Sequence, residues 1–277
     1  MITNSIQLLK KAREQKKCLA AFNVYNLESI QAVFEVGHKL DIPIILAFGE
    51  GYLHHASLDV IAAIVYAHVK DYPNPVVLHL DHCKNLNVIK DAINAGFTSV
   101  MYDGSSLPFL KNIENSKIVV VYAHSHGVSV EGELGGLNPE DGSNVSDAFV
   151  LTDPEQAEQY VTRTNVDSLA VSIGNAHGIY KGVPKLDFNR LELIYQRAKI
   201  PIVLHGCSGI PLNDLRKSIS IAVSKINVNT EIALAGGIGV ANALNAAQGK
   251  PVKLDILMVN AYLEMVKAIE PYAALCK

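Results

Sequence analysis

Cysteine is scarce in this sequence, and long runs of charge or of apolar residues are missing. The 277 residues include four cysteines, whose positions show none of the spacings of a disulfide framework. We therefore expect reduced thiols and a cytoplasmic location. No proline-, glycine- and serine-rich segment divides the chain as a linker would, so we expect a single domain over residues 1–277.

Charge and hydropathy argue against two classes of partner. The formal net charge is −3 and the lysines and arginines form no block, which argues against nucleic-acid binding. No apolar run approaches the ~18 residues that a bilayer-spanning helix needs, so we expect no membrane partner. The first residues show no basic segment followed by an apolar one, and the sequence predicts no secretory signal.

Short runs rich in valine and isoleucine alternate with amphipathic stretches along the whole chain. Such runs, without interleaved polar residues, are typical of parallel strands buried on both faces. Eight strands with intervening helices predict a (β/α)8 TIM barrel, an α/β fold. The strands are predicted at residues 19–24, 43–48, 76–80, 98–102, 118–124, 168–173, 201–204 and 225–228. A doubly wound open sheet is the alternative, but the glycine-rich turn that often follows its first strand is missing.

Two helical patterns lie outside this repeat. One, near residues 4–17, precedes the first strand, and the other, near 254–274, follows the last strand and is a candidate for contacts between subunits. The longest irregular segments, 125–152 and 174–186, follow the predicted strands five and six. Long loops in compact domains are often functional, and these two extend from the end of the barrel that carries active sites.

Three histidines each follow an apolar, strand-like run: His82, His177 and His205. Because the carboxyl ends of barrel strands meet at one face, we expect the three side chains to converge on a single ion. Three neutral imidazoles leave one coordination position of Zn²⁺ open, which is typical of a catalytic site. A hydrogen-bonded loop residue is the alternative for any one histidine, but the three together favour ligation.

Carboxylates accompany these histidines. Asp81 directly precedes His82, and we favour a general acid/base role for it over the alternative of a helix N-cap. Glu131 and Glu133 are two residues apart and share one face of an extended segment, which places Glu133 to reach the metal or a second ion. Asp103 is a further candidate for a second cation site. Solvated loop and turn residues are the alternative for these three carboxylates.

Two turns that follow predicted strands seven and eight are candidates for phosphate binding. Gly206, Cys207 and Ser208 lead into one helix, and residues 227–230 (NVNT) lead into another. Backbone N–H groups at helix starts bind phosphate, and these loops are its usual position in this fold. Ordinary turn chemistry with helix capping is the alternative. For Cys207, as for Cys83, small packed side chains are favoured over thiolate ligands to zinc.

These motifs resemble those of the class II, zinc-dependent ketose-bisphosphate aldolases, in particular the fructose/tagatose-bisphosphate branch. The matching segments run in order over nearly the whole chain: 21–24 (AFNV), 79–83 (HLDHC), 130–135 (VEGELG), 174–181 (GNAHGIYK), 204–209 (LHGCSG) and 225–230 (KINVNT). The resemblance implies reversible cleavage of fructose or tagatose 1,6-bisphosphate to dihydroxyacetone phosphate and glyceraldehyde 3-phosphate. Zinc would stabilise the enediolate in this reaction as a Lewis acid.

The resemblance also assigns roles to residues. It makes the three histidines the zinc ligands and Asp81 the group that takes the proton from the C4 hydroxyl. A mobile-loop acid, Glu140 or Asp141, would protonate the enediolate. The implied substrate-binding residues are Asn23, Gly178, Lys181, Gly206, Cys207, Ser208, Asn227, Val228, Asn229 and Thr230. The family also implies a second divalent cation at Asp103 and Glu133, a monovalent cation (Na⁺ or K⁺) near the phosphate turn, and a homodimer or homotetramer.

Three departures from the family pattern concern the substrate. Gly49 stands where the family usually has a serine that contacts substrate, Cys207 replaces a glycine in the phosphate turn, and Asn138-Pro139 replaces two glycines in the mobile loop. The aldehyde half of the substrate, including the C4 configuration, is therefore open. A class II aldolase acting on another ketose 1-phosphate or deoxy-sugar phosphate is one alternative, and a non-catalytic sugar-phosphate-binding subunit is another.

The other known aldolase mechanism uses a lysine Schiff base. In the predicted strand assignment, Lys117 and Lys225 sit at strand starts, which is the wrong end of a barrel for catalysis. This placement argues against the Schiff-base mechanism without reference to the family.

Overall fold

Eight parallel strands close into a barrel in sequence order, from β1 to β8 and back to β1. The computed structural model describes residues 1–136, 150–180 and 182–277. The strands are β1 (Leu19–Asn23), β2 (Ile44–Gly49), β3 (Val76–Cys83), β4 (Ser99–Tyr102), β5 (Ser129–Leu134), β6 (Ser168–Val171), β7 (Ile202–Leu204) and β8 (Val223–Val228). The closed parallel barrel confirms the predicted (β/α)8 fold.

One helix precedes β1, and a helix follows each of the eight strands. The helices are α1 (Ile6–Gln15), α2 (Leu27–Leu40), α3 (Leu58–Val69), α4 (Leu86–Ala95), α5 (Phe109–Ser125), α6 (Pro154–Thr164), α7 (Phe188–Ala198), α8 (Leu212–Ile221), α9 (Thr230–Ala246) and α10 (Leu254–Ala273). The extra helices α1 and α10 lie where the sequence predicts them. Within the described ranges, every helix is too short or too polar to span a bilayer.

The two faces of the strands pack against different cores, which explains the unbroken apolar runs. Ala20, Phe22 and Leu46 belong to the large outer core between strands and helices. Ala21 and Ile45 point the other way and join a smaller cluster with Leu9 and Ala12 of α1. Because successive side chains of a strand alternate between faces, burial on both sides demands apolar residues at nearly every position.

The predicted position of the fifth strand is wrong. Residues 118–124 lie within α5, so Lys117 and His124 are helical, and β5 is Ser129–Leu134. Val119 and Val120 of the β-branched run are buried, whereas Val121 on the opposite side of the helix is 72% exposed. The β-branched run therefore surrounds a helix, with only Val119 and Val120 on the buried side. The true strand was not recognised because it contains two glutamates. It follows that Glu131 and Glu133 lie in a barrel strand, not in a loop.

Lys225 is also misplaced by the sequence prediction. It lies inside β8, not at its start, and its side chain is buried. Lys117 is exposed on the outer helix α5. The long loop predicted at 125–152 contains β5, and its residues 137–149 lie outside the described residues.

Candidate active site

The imidazoles of His82, His177 and His205 meet at the carboxyl end of the barrel. His82 lies near the end of β3, His177 in the segment after β6, and His205 directly after β7. The ring centroid of His82 is 4.6 Å from that of His177 and 4.5 Å from that of His205. One nitrogen of each ring lies within 4.8 Å of the others, as in a site for a metal ion. The structure thus brings the three predicted ligands together.

The hydrogen bonds of His82 and His205 leave one nitrogen of each of these two rings available for a metal. His205 donates from Nε2 to Glu131 Oε1 over 2.8 Å, and its buried Nδ1 has no hydrogen-bond partner among the described residues. His82 donates from Nδ1 to Asp103 Oδ2 over 3.3 Å, and its buried Nε2 is likewise without a partner there. A donor bond at one nitrogen fixes the tautomer that exposes the other lone pair. The donor set therefore fits zinc.

The charges around the rings favour a cation at this site. Burial lowers the pKa of His82, but Asp81, Asp103 and Glu133 oppose it and raise the pKa to about 10. Burial and the neighbouring His82 lower the pKa of His205. Burial, together with the same neighbour, lowers the pKa of His177 well below its usual value. The latter two rings are thus neutral, as metal ligands must be.

Asp81 is held in the same pocket by two amides from other strands. Its carboxylate accepts a hydrogen bond of 3.0 Å from Asn23 Nδ2 and one of 3.2 Å from Asn227 Nδ2. Burial raises the pKa of Asp81, but His82 and the other basic side chains nearby outweigh it and hold the pKa below its usual range. Asp81 is therefore ionised and ready to accept a proton. The alternative of a helix N-cap is wrong, because Asn85 caps α4.

A local irregularity in β3 lets two consecutive residues serve this pocket. His82 has a left-handed φ of 46°, and the register between β3 and β4 shifts between Leu80 and Cys83. In a regular strand, Asp81 and His82 would point to opposite faces. β-Bulges next to active sites change the direction of a side chain. Because of the register shift, the side chains of Asp81 and His82 both line the pocket.

Asp103 and Glu133 form a second group around His82. Their carboxylates lie 3.3 Å and 3.6 Å from His82 Nδ1, and one oxygen of each is within 4.8 Å of that ring's ligand atom. Ser105 Oγ donates to Asp103 over 2.6 Å. Burial and the Asp103 charge raise the pKa of Glu133 well above its usual value. The pair can orient His82 or hold a second cation.

The segments that carry His177 and His205 are locked to each other. Asn175 donates from its side chain to His205 O over 3.0 Å and accepts from the N–H of Ile173 over 2.8 Å. Gly206 has φ 62°, and a Cβ there would lie 2.1 Å from Ala176 O. Only glycine fits this close approach. Sequence reasoning missed Asn175 as a positioning residue, although its place in the matched motif was a signal.

Six of the ten predicted substrate residues line a common pocket at the carboxyl end of the barrel. It is lined by Asn23, Asp81, His82, His177, His205, Gly206, Ser208, Asn227, Asn229 and Thr230. Cys207 and Val228 are buried in the outer core, so they can contribute only through their backbones. Gly178 lies in the turn after His177 with a φ of 81°. The predicted Glu140, Asp141 and Lys181 lie outside the described residues.

Two tyrosines that the sequence did not single out stand beside Asn229. The rings of Tyr25 and Tyr52 meet edge to face at 4.9 Å, and Asn229 Nδ2 donates to the Tyr52 hydroxyl over 2.9 Å. The Tyr25 hydroxyl also donates to Asn229 Oδ1. A Cβ on Gly49 would lie 3.3 Å from the Tyr52 ring. The Tyr52 ring thus occupies the space next to Gly49, the position at which the family usually has a serine.

The fold and the site define a TIM-barrel protein with three histidines clustered, as metal ligands are, at the carboxyl ends of its strands. A family model described as class-II fructose-bisphosphate aldolase matches residues 3–277. The chain therefore belongs to the class II fructose-bisphosphate aldolase family and is a lyase, which confirms the resemblance seen in the sequence.

Solved structures agree with this assignment. The chain is similar to the YdjI aldolase of Escherichia coli K12, with 30% identity, a TM-score of 0.88, and coverage of 100% of this chain and 97% of that one. It is also similar to a candidate fructose-1,6-bisphosphate aldolase of Coccidioides immitis, with 27% identity, a TM-score of 0.87, and coverage of 99% and 96%. The chain shares its fold with the fructose-bisphosphate aldolase of Campylobacter jejuni, with 24% identity and a TM-score of 0.84. The match covers 99% of this chain and 95% of that one.

Proposed function

We propose that this protein is a Zn²⁺-dependent aldolase that reversibly cleaves fructose 1,6-bisphosphate or tagatose 1,6-bisphosphate. The products are dihydroxyacetone phosphate and glyceraldehyde 3-phosphate. The observation that carries this proposal is the meeting of three imidazoles with Asp81 in one pocket at the carboxyl end of the barrel. A base beside a Lewis-acid site is what carbon–carbon cleavage next to a ketone requires.

His82, His177 and His205 would hold the ion. When bound, zinc supplies Lewis-acid polarisation of the substrate ketone. Asp81 accepts the proton of the C4 hydroxyl while the C3–C4 bond breaks, and it returns that proton in the synthetic direction. Its hydrogen bonds to Asn23 and Asn227 keep the carboxylate in one orientation throughout. The proton that C3 then needs is assigned to Glu140 or Asp141.

The phosphate of the dihydroxyacetone half is assigned to the turns after β7 and β8. Ser208 and Thr230 line the pocket, and Thr230 is the first residue of α9. N–H groups and the dipole at a helix start favour an anion. Gly178 and Lys181 complete this proposed site. A monovalent cation near the turn, and a second divalent cation at Asp103 and Glu133, are further parts of the proposal.

An aldolase that uses a different aldehyde is the second candidate function. The Tyr52 ring lies against Gly49 and hydrogen-bonds Asn229, so aromatic surface stands beside the pocket there. Such a wall favours an aldehyde smaller or less polar than glyceraldehyde 3-phosphate, as in a deoxy-sugar phosphate or another ketose 1-phosphate. The non-catalytic alternative is weaker, because a partner subunit has no need of Asp81 and its two amides.

A cytoplasmic homodimer or homotetramer with no nucleic-acid partner completes the proposal. Leu254, Val259 and Leu263 of α10 are 70%, 53% and 48% exposed. Exposed apolar side chains along one helix favour a subunit contact.

The test is aldol cleavage of both bisphosphates, followed by triose phosphate release. Purified enzyme is compared with chelator-treated enzyme, and the latter is then supplied with Zn²⁺ or, as the matched control, Mg²⁺. We expect the chelator to abolish cleavage, Zn²⁺ to restore it, and the rate ratio to identify the C4 configuration. Zinc-loaded protein inactive on both sugars would overturn the first substrate assignment and favour the other aldehydes.

A further inference from the structure

A chain of buried ionic contacts runs through the barrel beneath the histidine cluster. Lys225 Nζ on β8 donates to Glu131 Oε2 on β5 over 2.7 Å. Glu131 Oε1 accepts in turn from His205 Nε2 over 2.8 Å. Lys225, Glu131 and His205 are at most 2% exposed. Since β5 and β8 are not neighbours in the barrel, this contact passes through its interior.

The contact between Glu131 and His205 depends on the contact between Glu131 and Lys225. By accepting from Nε2, Glu131 places the proton of His205 there and leaves Nδ1 with a lone pair. A carboxylate buried without a counter-charge is strongly disfavoured. Lys225, 2.7 Å from Glu131 Oε2, supplies this counter-charge.

Lys225 also contacts the strand that carries Asp81. Its Nζ donates to His79 Nε2 over 3.3 Å, and His79 Nδ1 donates to Ser99 Oγ over 2.8 Å. Burial and the Lys225 charge lower the pKa of His79 to about 3, so this ring is neutral and can accept from lysine. The buried Lys225 ammonium therefore has two partners, Glu131 and His79.

We infer that Glu131 and Lys225 are a positioning pair that sets the metal affinity of the site. Glu131 fixes the tautomer of His205 through its hydrogen bond with Nε2, and Lys225 holds Glu131 in place through the contact at Oε2. This inference rests on the proposed function only in that His205 is taken as a metal ligand. It also gives Lys225 a role other than a Schiff base.

The test measures metal affinity and not activity alone. Zn²⁺ affinity is obtained by competition with a chromogenic chelator, and the visible absorption of the Co²⁺-loaded protein reports the geometry of the ligands. We expect Glu131→Gln and Lys225→Met each to weaken Zn²⁺ binding about 10- to 100-fold and to change the cobalt spectrum. The exposed pair Lys111 and Glu114, 2.9 Å apart, provides the control variants Lys111→Met and Glu114→Gln.

The double variant Glu131→Gln/Lys225→Met separates positioning from simple structural support. It removes both buried charges together, so we expect its unfolding midpoint to recover relative to Lys225→Met, while its Zn²⁺ affinity stays low. Wild-type affinity and an unchanged cobalt spectrum in Glu131→Gln would overturn the inference. Wild-type protein that binds zinc through His205 but cleaves no ketose phosphate would overturn the proposed function and leave this inference standing.

A second, independent observation concerns two thiols at the outside of the barrel. Cys18 Sγ, just before β1, lies 3.0 Å from Cys276 Sγ in the short 3-10 helix that follows α10. Next to them, Lys17 Nζ donates to the backbone oxygen of Lys277 over 2.9 Å. A disulfide bond is about 2.05 Å long, so the two sulfurs need to approach by only about 1 Å.

We propose that Cys18 and Cys276 are an oxidative modification site that forms an intramolecular disulfide with peroxide. The two thiols lose two protons and two electrons, and one hydrogen peroxide accepts them and becomes two waters. The hydrogen bond with Cys18, together with burial, raises the pKa of the Cys276 thiol. Because the thiolate is the nucleophile, we expect the reaction to be faster in alkaline solution.

Folded protein is treated with hydrogen peroxide, unfolded, and assayed for free thiols and cross-linked peptides. We expect two of the four thiols to disappear, with one reversible link between Cys18 and Cys276. Cys276→Ser should abolish the link, and Cys83→Ser should keep it. Four remaining thiols, a link to another cysteine, or covalent dimers in place of the link would overturn the proposal.

Discussion

Asn227 on β8 donates a hydrogen bond of 3.2 Å to Asp81 on β3, across a barrel in which these two strands are not neighbours. Asn23 on β1 completes the clamp from a third strand. Three strands thus determine the orientation of one carboxylate.

Asp81→Asn should keep the pocket and lose turnover. The amide has the shape of the carboxylate but cannot accept the C4 hydroxyl proton, and a general base contributes about 10²- to 10⁴-fold. We expect kcat to fall by that factor while the zinc content stays at the wild-type level. Asp91→Asn, on the exposed side of α4, is the control. Full activity in Asp81→Asn would remove the acid/base assignment.

His205→Ala should lose the metal. The substitution removes one of three ligands and leaves Glu131 without its imidazole partner. Elemental analysis after gel filtration should find substoichiometric zinc in His205→Ala, and His126→Ala at the exposed end of α5 should retain it. Normal zinc occupancy in His205→Ala would contradict the ligand set.

Gly206→Ala should disrupt the turn proposed to bind phosphate. Its φ of 62° is unfavourable for alanine by about 1–2 kcal/mol. The new methyl group would also meet Ala176 O at 2.1 Å. Gly127→Ala is the matched control, because its φ is 72° with nothing within 4 Å of a Cβ.

We expect Gly206→Ala to lower the unfolding midpoint more than Gly127→Ala does. Its KM for dihydroxyacetone phosphate should rise on the order of tenfold, as for loss of a hydrogen bond to a charged group. Equal thermal stability of the two variants, with an unchanged KM, would show that the close approach has no consequence.

Gly49→Ser should change selectivity for the aldehyde. The serine Cβ would lie 3.3 Å from the Tyr52 ring, so the ring, which hydrogen-bonds Asn229, must shift by a few tenths of an ångström. In the synthetic direction, we expect kcat/KM to change between aldehydes while KM for dihydroxyacetone phosphate stays constant. Gly51→Ser, with nothing within 4 Å of a Cβ, is the control. An unchanged preference among aldehydes would show that Gly49 does not determine the aldehyde specificity.

Much of the fold was predictable because burial on both faces of a strand produces a local sequence pattern. Runs such as Ile44–Gly49 are apolar at successive positions, and this pattern needs no knowledge of the partner strand. The prediction of the fifth strand failed for the opposite reason. Its sequence, Ser129–Leu134, carries two glutamates that only a barrel interior with compensating cations can accept.

The sequence by itself determined the barrel and the histidines at its strand ends, since strand periodicity and chain order are local properties. Only the tertiary structure decided that Lys225 neutralises Glu131 and that Asp81 and His82 share a pocket. Those relations join residues far apart in the chain or depend on a register shift in one strand. They exist only after barrel closure has brought strands together in a buried interior, where each charge needs a partner.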